Sequence, residues 1–193
     1  MARNKDFDKN EVLQKAVRLF WDKGYNGTSM QDLVEGLGIS RSSLYDTFGD
    51  KHKLYLLALE SYKDAYGTEL CALTWKGASA RIAVYQILAL VTDNLLNDQQ
   101  RRGCFMVNAG VELASHDTEV YKLVCSTENQ LEQAFFKVIK LGQENGEISE
   151  EKDPLAIARF LNNIVKGLQV TVKSTSDRKL FDDIIKVALM VLD

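Results

Sequence analysis

Apolar residues recur along this chain mostly at intervals of three and four, and alternating β-branched runs are scarce, so the pattern predicts helices throughout. Val12, Ala16, Leu19 and Phe20 mark one face of a first helix. Met30, Leu33, Val34 and Leu37 mark a second. Thr28 and Gln31, three residues apart, fit a capping box at its start, and Gly36 and Gly38 offer left-handed positions at its end. Ser40 suits the N-cap of a third, short helix that buries Ile39, Leu44 and Phe48 and presents Arg41, Ser42, Ser43 and Tyr45. Two short helices joined by a tight glycine turn have the layout of a helix-turn-helix DNA reader.

The remaining pattern predicts helices over Asp50 to about Trp75, Ser79 to about Asn97, Cys104 to about Ser115, Asp117 to about Glu144, Asp153 to about Val172 and Ser176 to about Leu192. Loops are expected at Lys76-Gly77, Gln99 to Gly103, Gly142 to Glu151 and Lys173 to Ser176. Asp153-Pro154 is a strong helix start, an N-cap followed by proline in the first turn. The expected organisation is all-α: residues 1–50 form a three-helix DNA-binding domain, and residues 51–193 a helical effector-binding and dimerisation domain. The last two helices carry broad apolar faces, including Ile164, Leu168, Ile184 and Ala188, more than one small domain needs. Pairing with a second copy accounts for the excess.

Composition narrows the class. With 193 residues and 46% apolar content the chain can bury a substantial core. No apolar run reaches the roughly 18 residues of a membrane span, and the first ten residues are charged, so a cytoplasmic protein without membrane contact is expected. Cys71, Cys104 and Cys125 form neither a disulfide ladder nor a metal spacing, so no metal or cofactor is expected. His52 and His116 show no nucleophile-base spacing, and no glycine-rich phosphate loop occurs, which argues against an enzyme. The net charge of −3 opposes DNA binding, but Met1 to Lys53 holds nine Lys and Arg against eight Asp and Glu, about +1, leaving about −4 elsewhere. Arg3, Lys5 and Lys9 precede the first helix, Arg41 tips the third, and Lys51 and Lys53 open the fourth. A helical small-molecule-binding or redox-sensing module without DNA binding would suit the acidic balance, but not the exposed residues of the third helix.

Residues Val12 to about Tyr62 resemble the TetR family of transcriptional repressors, through the first apolar face, Gly24-Tyr25-Asn26-Gly27-Thr28-Ser29, Gly38-Ile39-Ser40, and Leu44-Tyr45-x-x-Phe48-Gly49-x-Lys51. By that resemblance Thr28 caps the second helix against a phosphate, Arg41, Ser42 and Ser43 face the bases, and Tyr45 and Lys51 hold the DNA backbone, with Ser29 and Ser40 as further DNA-binding candidates. Asp46 and Thr47 depart from the aromatic or His residues common there. The resemblance further implies a homodimer on double-stranded operator DNA, released by a small-molecule effector held by the fourth to seventh helices. Trp75, Tyr85, Leu88, Phe105, Met106, Asn108, Val111, Tyr121 and Phe135 are the candidate lining residues. Effector binding would tilt the fourth helix and misplace two readers that must span half-sites roughly 34–36 Å apart. Arg101-Arg102-Gly103-Cys104-Phe105 is similar to the Gly-Cys element of a subgroup that includes electrophile sensors, and both arginines and a helix start would favour a Cys104 thiolate; the alternative is that Cys104 packs as a small buried apolar residue.

Overall fold

The structure is a computed structural model that describes the backbone of residues 7–72 and 79–193 and the side chains of 7–65 and 79–193. Among these residues it is all-α, without a strand. The helices are α1 (Lys9–Lys23), α2 (Met30–Leu37), α3 (Arg41–Phe48), α4 (Lys51–Ala72), α5 (Ala80–Asn97), α6 (Phe105–Leu113), α7 (Thr118–Glu144), α8 (Pro154–Thr171) and α9 (Arg178–Ala188), the last running into a 3-10 turn at Leu189–Leu192. Asp153 caps α8 ahead of Pro154 as expected, accepting from Leu155 and Ala156 N–H. The final helix starts from Asp177 instead of Ser176, because the carboxylate takes the Lys179 N–H. The expected Lys76-Gly77 loop and Trp75 lie outside the described residues.

Packing divides the chain elsewhere than at residue 50. One compact unit is Met1–Gly67 with Asn108–Val124; the other is Thr68–Val107 with Cys125–Asp193. The reason lies in helix length. Two eight-residue helices and α1 cannot enclose a core alone, so Leu54, Tyr55, Ala58 and Leu59 of α4, Ala109 of α6 and Val120 of α7 are buried in the first unit beside Val12, Ala16, Phe20, Leu33, Leu37, Leu44 and Phe48. Phe20 and Tyr55 meet edge to face at 5.0 Å, and Tyr25 leans on Tyr55 at 5.0 Å.

The second unit is a helical layer in which α5 packs against α8 and α9. Val84, Ile87, Leu88, Phe105, Phe135, Ile139, Leu161, Val165, Leu168 and Phe181 are all nearly or fully buried there. Leu168 and Ala188, expected at a subunit interface, are therefore core residues of the monomer. The apolar face left open on these helices is the next one round: Phe160 and Val170 on α8, and Leu180, Val187 and the following Met190, are exposed, with Ile164 and Ile184 half-buried beside them.

Candidate nucleic-acid interface

The start of α2 corrects one residue of the sequence reading. Ser29, not Thr28, is the N-cap: its hydroxyl accepts from Asp32 N–H at 3.0 Å, and the Asp32 carboxylate accepts from Ser29 N–H at 2.8 Å, closing the box. Thr28 is fully buried and donates its hydroxyl to the Gly24 carbonyl at 2.6 Å, so its side chain is unavailable to phosphate. Gln31 donates to Glu35 at 2.6 Å instead of reaching back. Both spacings satisfy the box template, and Asp32 prevails because a carboxylate is the stronger acceptor and Lys23 pairs with it. That hydrogen bond from Lys23, joined by those from Ser29, holds the Asp32 carboxyl well below the usual range.

α3 presents the surface the sequence predicted. Ile39, Leu44 and Phe48 are buried, while Arg41, Ser42 and Tyr45 are exposed and Ser43 half-buried. Ser40 caps the helix by accepting from Ser43 N–H at 3.1 Å, and its hydroxyl also lies 2.9 Å from those of Ser42 and Ser43. Three hydroxyls and a guanidinium thus share the first turn of a helix whose small side chains let backbone approach a groove floor. Asp46 is exposed on the next turn.

Aromatic rings seat the basic groups here. Arg41 lies over the Tyr45 ring at 5.9 Å, Lys51 over the Tyr25 ring at 4.2 Å and Lys9 over the Phe48 ring at 5.8 Å. None of these three cations makes an ion pair among the described residues, whereas Lys15 and Lys23 of the same unit pair with Glu11 and Asp32. Burial of Lys51 lowers its ammonium pKa against the pull of Glu112 and Asp32. At the α4 start, Asp50 accepts from Lys53 N–H at 2.8 Å, so one helix-terminal donor is already taken.

Two contacts that no local spacing could reveal fix the reader within its unit. Glu112 of α6 accepts from Tyr25 N–H at 3.0 Å and Asn26 N–H at 2.7 Å, gripping the turn between α1 and α2. Gly24 is required beside it, since its φ is +74° and a Cβ would come 2.8 Å from the Glu112 carboxylate. His52 at the α4 start meets Asp117 at 2.5 Å, and the same carboxylate caps α7 through Glu119 and Val120 N–H. Burial raises the Asp117 pKa, but the Val120 N–H and the His52 ring outweigh it, and the net direction is down.

The candidate effector residues do not behave as one set. In the second unit Leu88, Phe105, Met106 and Phe135 are buried and Tyr85 is exposed. In the first, Asn108 is half-buried, Tyr121 is exposed and Val111 is 83% exposed, so Val111 lines no interior wall of its unit. The Gly-Cys element has a packing explanation: Gly103 has φ +71° and a Cβ there would stand 2.4 Å from the Gln169 carbonyl of α8. Cys104 is 5% exposed. Arg102, expected to favour its thiolate, is forked onto Asp98 at 3.0 and 3.1 Å.

An exposed, cation-tipped second helix following a capped first helix and a glycine turn defines a helix-turn-helix DNA-binding regulator. Residues 12–58 match the family model described as bacterial regulatory proteins, tetR family, and residues 81–188 that of a tetracyclin repressor-like C-terminal domain. The chain is 35% identical to the HTH-type transcriptional regulator YezE of Bacillus subtilis, covering 100% of both. It is 30% identical to the HTH-type transcriptional repressor ComR of Escherichia coli over 89% of this chain and 82% of that protein. A cysteine-substituted TetR family regulator, CifR, solved in complex with 26-base-pair double-strand operator DNA, matches with a TM-score of 0.89 at 26% identity, covering 100% of both chains. The chain belongs to the TetR family of transcriptional regulators. Among the described residues no helix is long and apolar enough to cross a membrane.

Proposed function

We propose that this regulator is a cytoplasmic repressor, without enzymatic activity, that binds operator DNA as a homodimer and leaves it when a small molecule binds the second unit. The observation that carries the reading is the first turn of α3, where Arg41, without an ion pair among the described residues, shares an exposed face with the Ser40 and Ser42 hydroxyls and the half-buried Ser43. In this reading Arg41, Ser42 and Ser43 read base edges, and Ser29, Ser40, Tyr45 and Lys51 hold the backbone. The exposed apolar faces of α8 and α9 carry the dimer contact, which sets two readers on one duplex. DNA-complexed CifR and the repressor ComR support the operator and the direction of control.

For the effector, the second unit offers the apolar side chains Leu88, Phe105, Met106 and Phe135 together with the buried polar groups Thr92, Asn162 and Gln169. That mixture suits a small uncharged molecule with few hydrogen-bonding groups. The low exposure of Cys104 favours a non-covalent effector over an electrophile. A mobility-shift titration on the duplex upstream of the chain's own coding sequence tests the core of the reading. A shifted complex of two chains per duplex, abolished by Arg41→Ala, is expected; no shift at any protein concentration up to that of non-specific binding refutes it.

A further inference from the structure

Arg41 is the first residue of α3 and Tyr45 lies four residues on, so the two side chains share one face of the helix. The guanidinium carbon stands 5.9 Å from the Tyr45 ring centroid, within the range of a cation–π contact. Tyr45 itself is 43% exposed, an aromatic ring spread on the surface that approaches DNA. A long side chain that no ion pair among the described residues holds samples many rotamers and forfeits that freedom when it forms two hydrogen bonds to a guanine edge. A ring beneath the guanidinium leaves its in-plane N–H donors clear while restricting where the plane lies. Ser40 does the corresponding job for the two neighbouring hydroxyls.

We infer that Tyr45 is a positioning residue for base recognition: its ring, not its hydroxyl, presets the Arg41 guanidinium for bidentate contact with a base pair. This role is separate from any backbone contact by the hydroxyl, and it rests on the reading of Arg41 as a base-contacting side chain. Because the ring acts only through Arg41, its removal changes base preference at one position, whereas removal of a phosphate-binding group weakens all sequences alike.

The test uses the full-length chain and the tightest palindromic duplex that it selects from a randomised library, together with every single-pair variant of that duplex placed in both half-sites. Arg41→Ala identifies the pair whose preference depends on Arg41. Tyr45→Phe, which keeps the ring, retains the preference at that pair; Tyr45→Leu, which removes it, lowers the preference there by roughly two- to fivefold per half-site and leaves the other pairs alone. Tyr45→Gln is a second ring-free variant, and helicity by circular dichroism verifies the fold of each. Full preference in both ring-free variants, or equal loss in Tyr45→Phe, overturns the inference. If no pair responds to Arg41→Ala, the reading of Arg41 fails first and the positioning role falls with it.

Discussion

Replacing Glu112 by Ala removes one carboxylate that receives two backbone donors from the turn between α1 and α2. The Asn26 N–H, on an exposed residue, recovers a water partner, so its loss costs about 0.5–1 kcal/mol; the Tyr25 N–H, in a part-buried contact with a charged acceptor, costs about 1.5–2 kcal/mol. The sum is about 2–3 kcal/mol, which for a chain of this size lowers Tm by roughly 5–10 °C. Glu112→Gln keeps one acceptor oxygen and falls roughly midway. Thermal and urea unfolding at fixed protein concentration measures both, the fixed concentration being necessary because dimerisation itself adds stability. Operator affinity should fall with stability, since the same turn feeds α2 and through it α3. An Ala variant within 0.5 kcal/mol of the parent would show that water replaces the carboxylate at both donors and that α6 does not brace the reader.

Lys51→Ala should weaken binding to all duplexes similarly and reduce the slope of log affinity against log salt by about 0.9 for each phosphate left without its cation, as titrations at several salt concentrations will read. Charged substitutions on the open face, Ile184→Glu or Val187→Glu, should yield folded monomers by sedimentation, whereas Leu168→Glu should unfold the chain because that side chain is core. The folded-state pKa of Asp117 lies below the ordinary carboxylate value of about 3.9, so its contribution to stability is complete above about pH 5 and is lost as the pH falls through the folded value. Asp117→Asn should therefore be less stable than the parent at pH 7, with the gap closing in acid, as denaturation at a series of pH values will show. Gly103→Ala should be destabilised by more than about 1 kcal/mol, because the new methyl meets both a left-handed backbone and the Gln169 carbonyl.

The reader was legible because its determinants are local: Ser40 and Asp153 cap helices three or fewer residues away, and the apolar spacing of Ile39, Leu44 and Phe48 fixes which face of α3 is outward. The Thr28 and Ser29 exchange shows the limit of such reading, as overlapping box templates one residue apart are separated by the Gly24 carbonyl that takes the Thr28 hydroxyl and by the Lys23 ammonium that pairs with Asp32. Glu112 and Asp117 were invisible for another reason: they meet partners 86 and 65 residues away, and no periodicity encodes that pairing. On α8 apolar residues cover most of the circumference, so the pattern could not tell Leu168, which faces inward, from Val170, which does not. Tyr85, Val111 and Tyr121 show the same limit: apolar character predicts burial, yet each is exposed within its own unit.

The seating of Lys9, Arg41 and Lys51 on aromatic rings bears on how such a protein finds its site in a genome. With a net charge of −3 and a Debye length of about 8 Å at physiological ionic strength, the molecule as a whole gains little from the far field of DNA, and cations such as these gain chiefly at contact. Few phosphates neutralised means weak holding on random sequence, short sliding runs and little sequestration by the excess of non-cognate sites. Occupancy of the operator then depends on the ratio of specific to non-specific affinity more than on the absolute strength of either. A small number of regulator molecules can command one operator when so few are held by the rest of the chromosome.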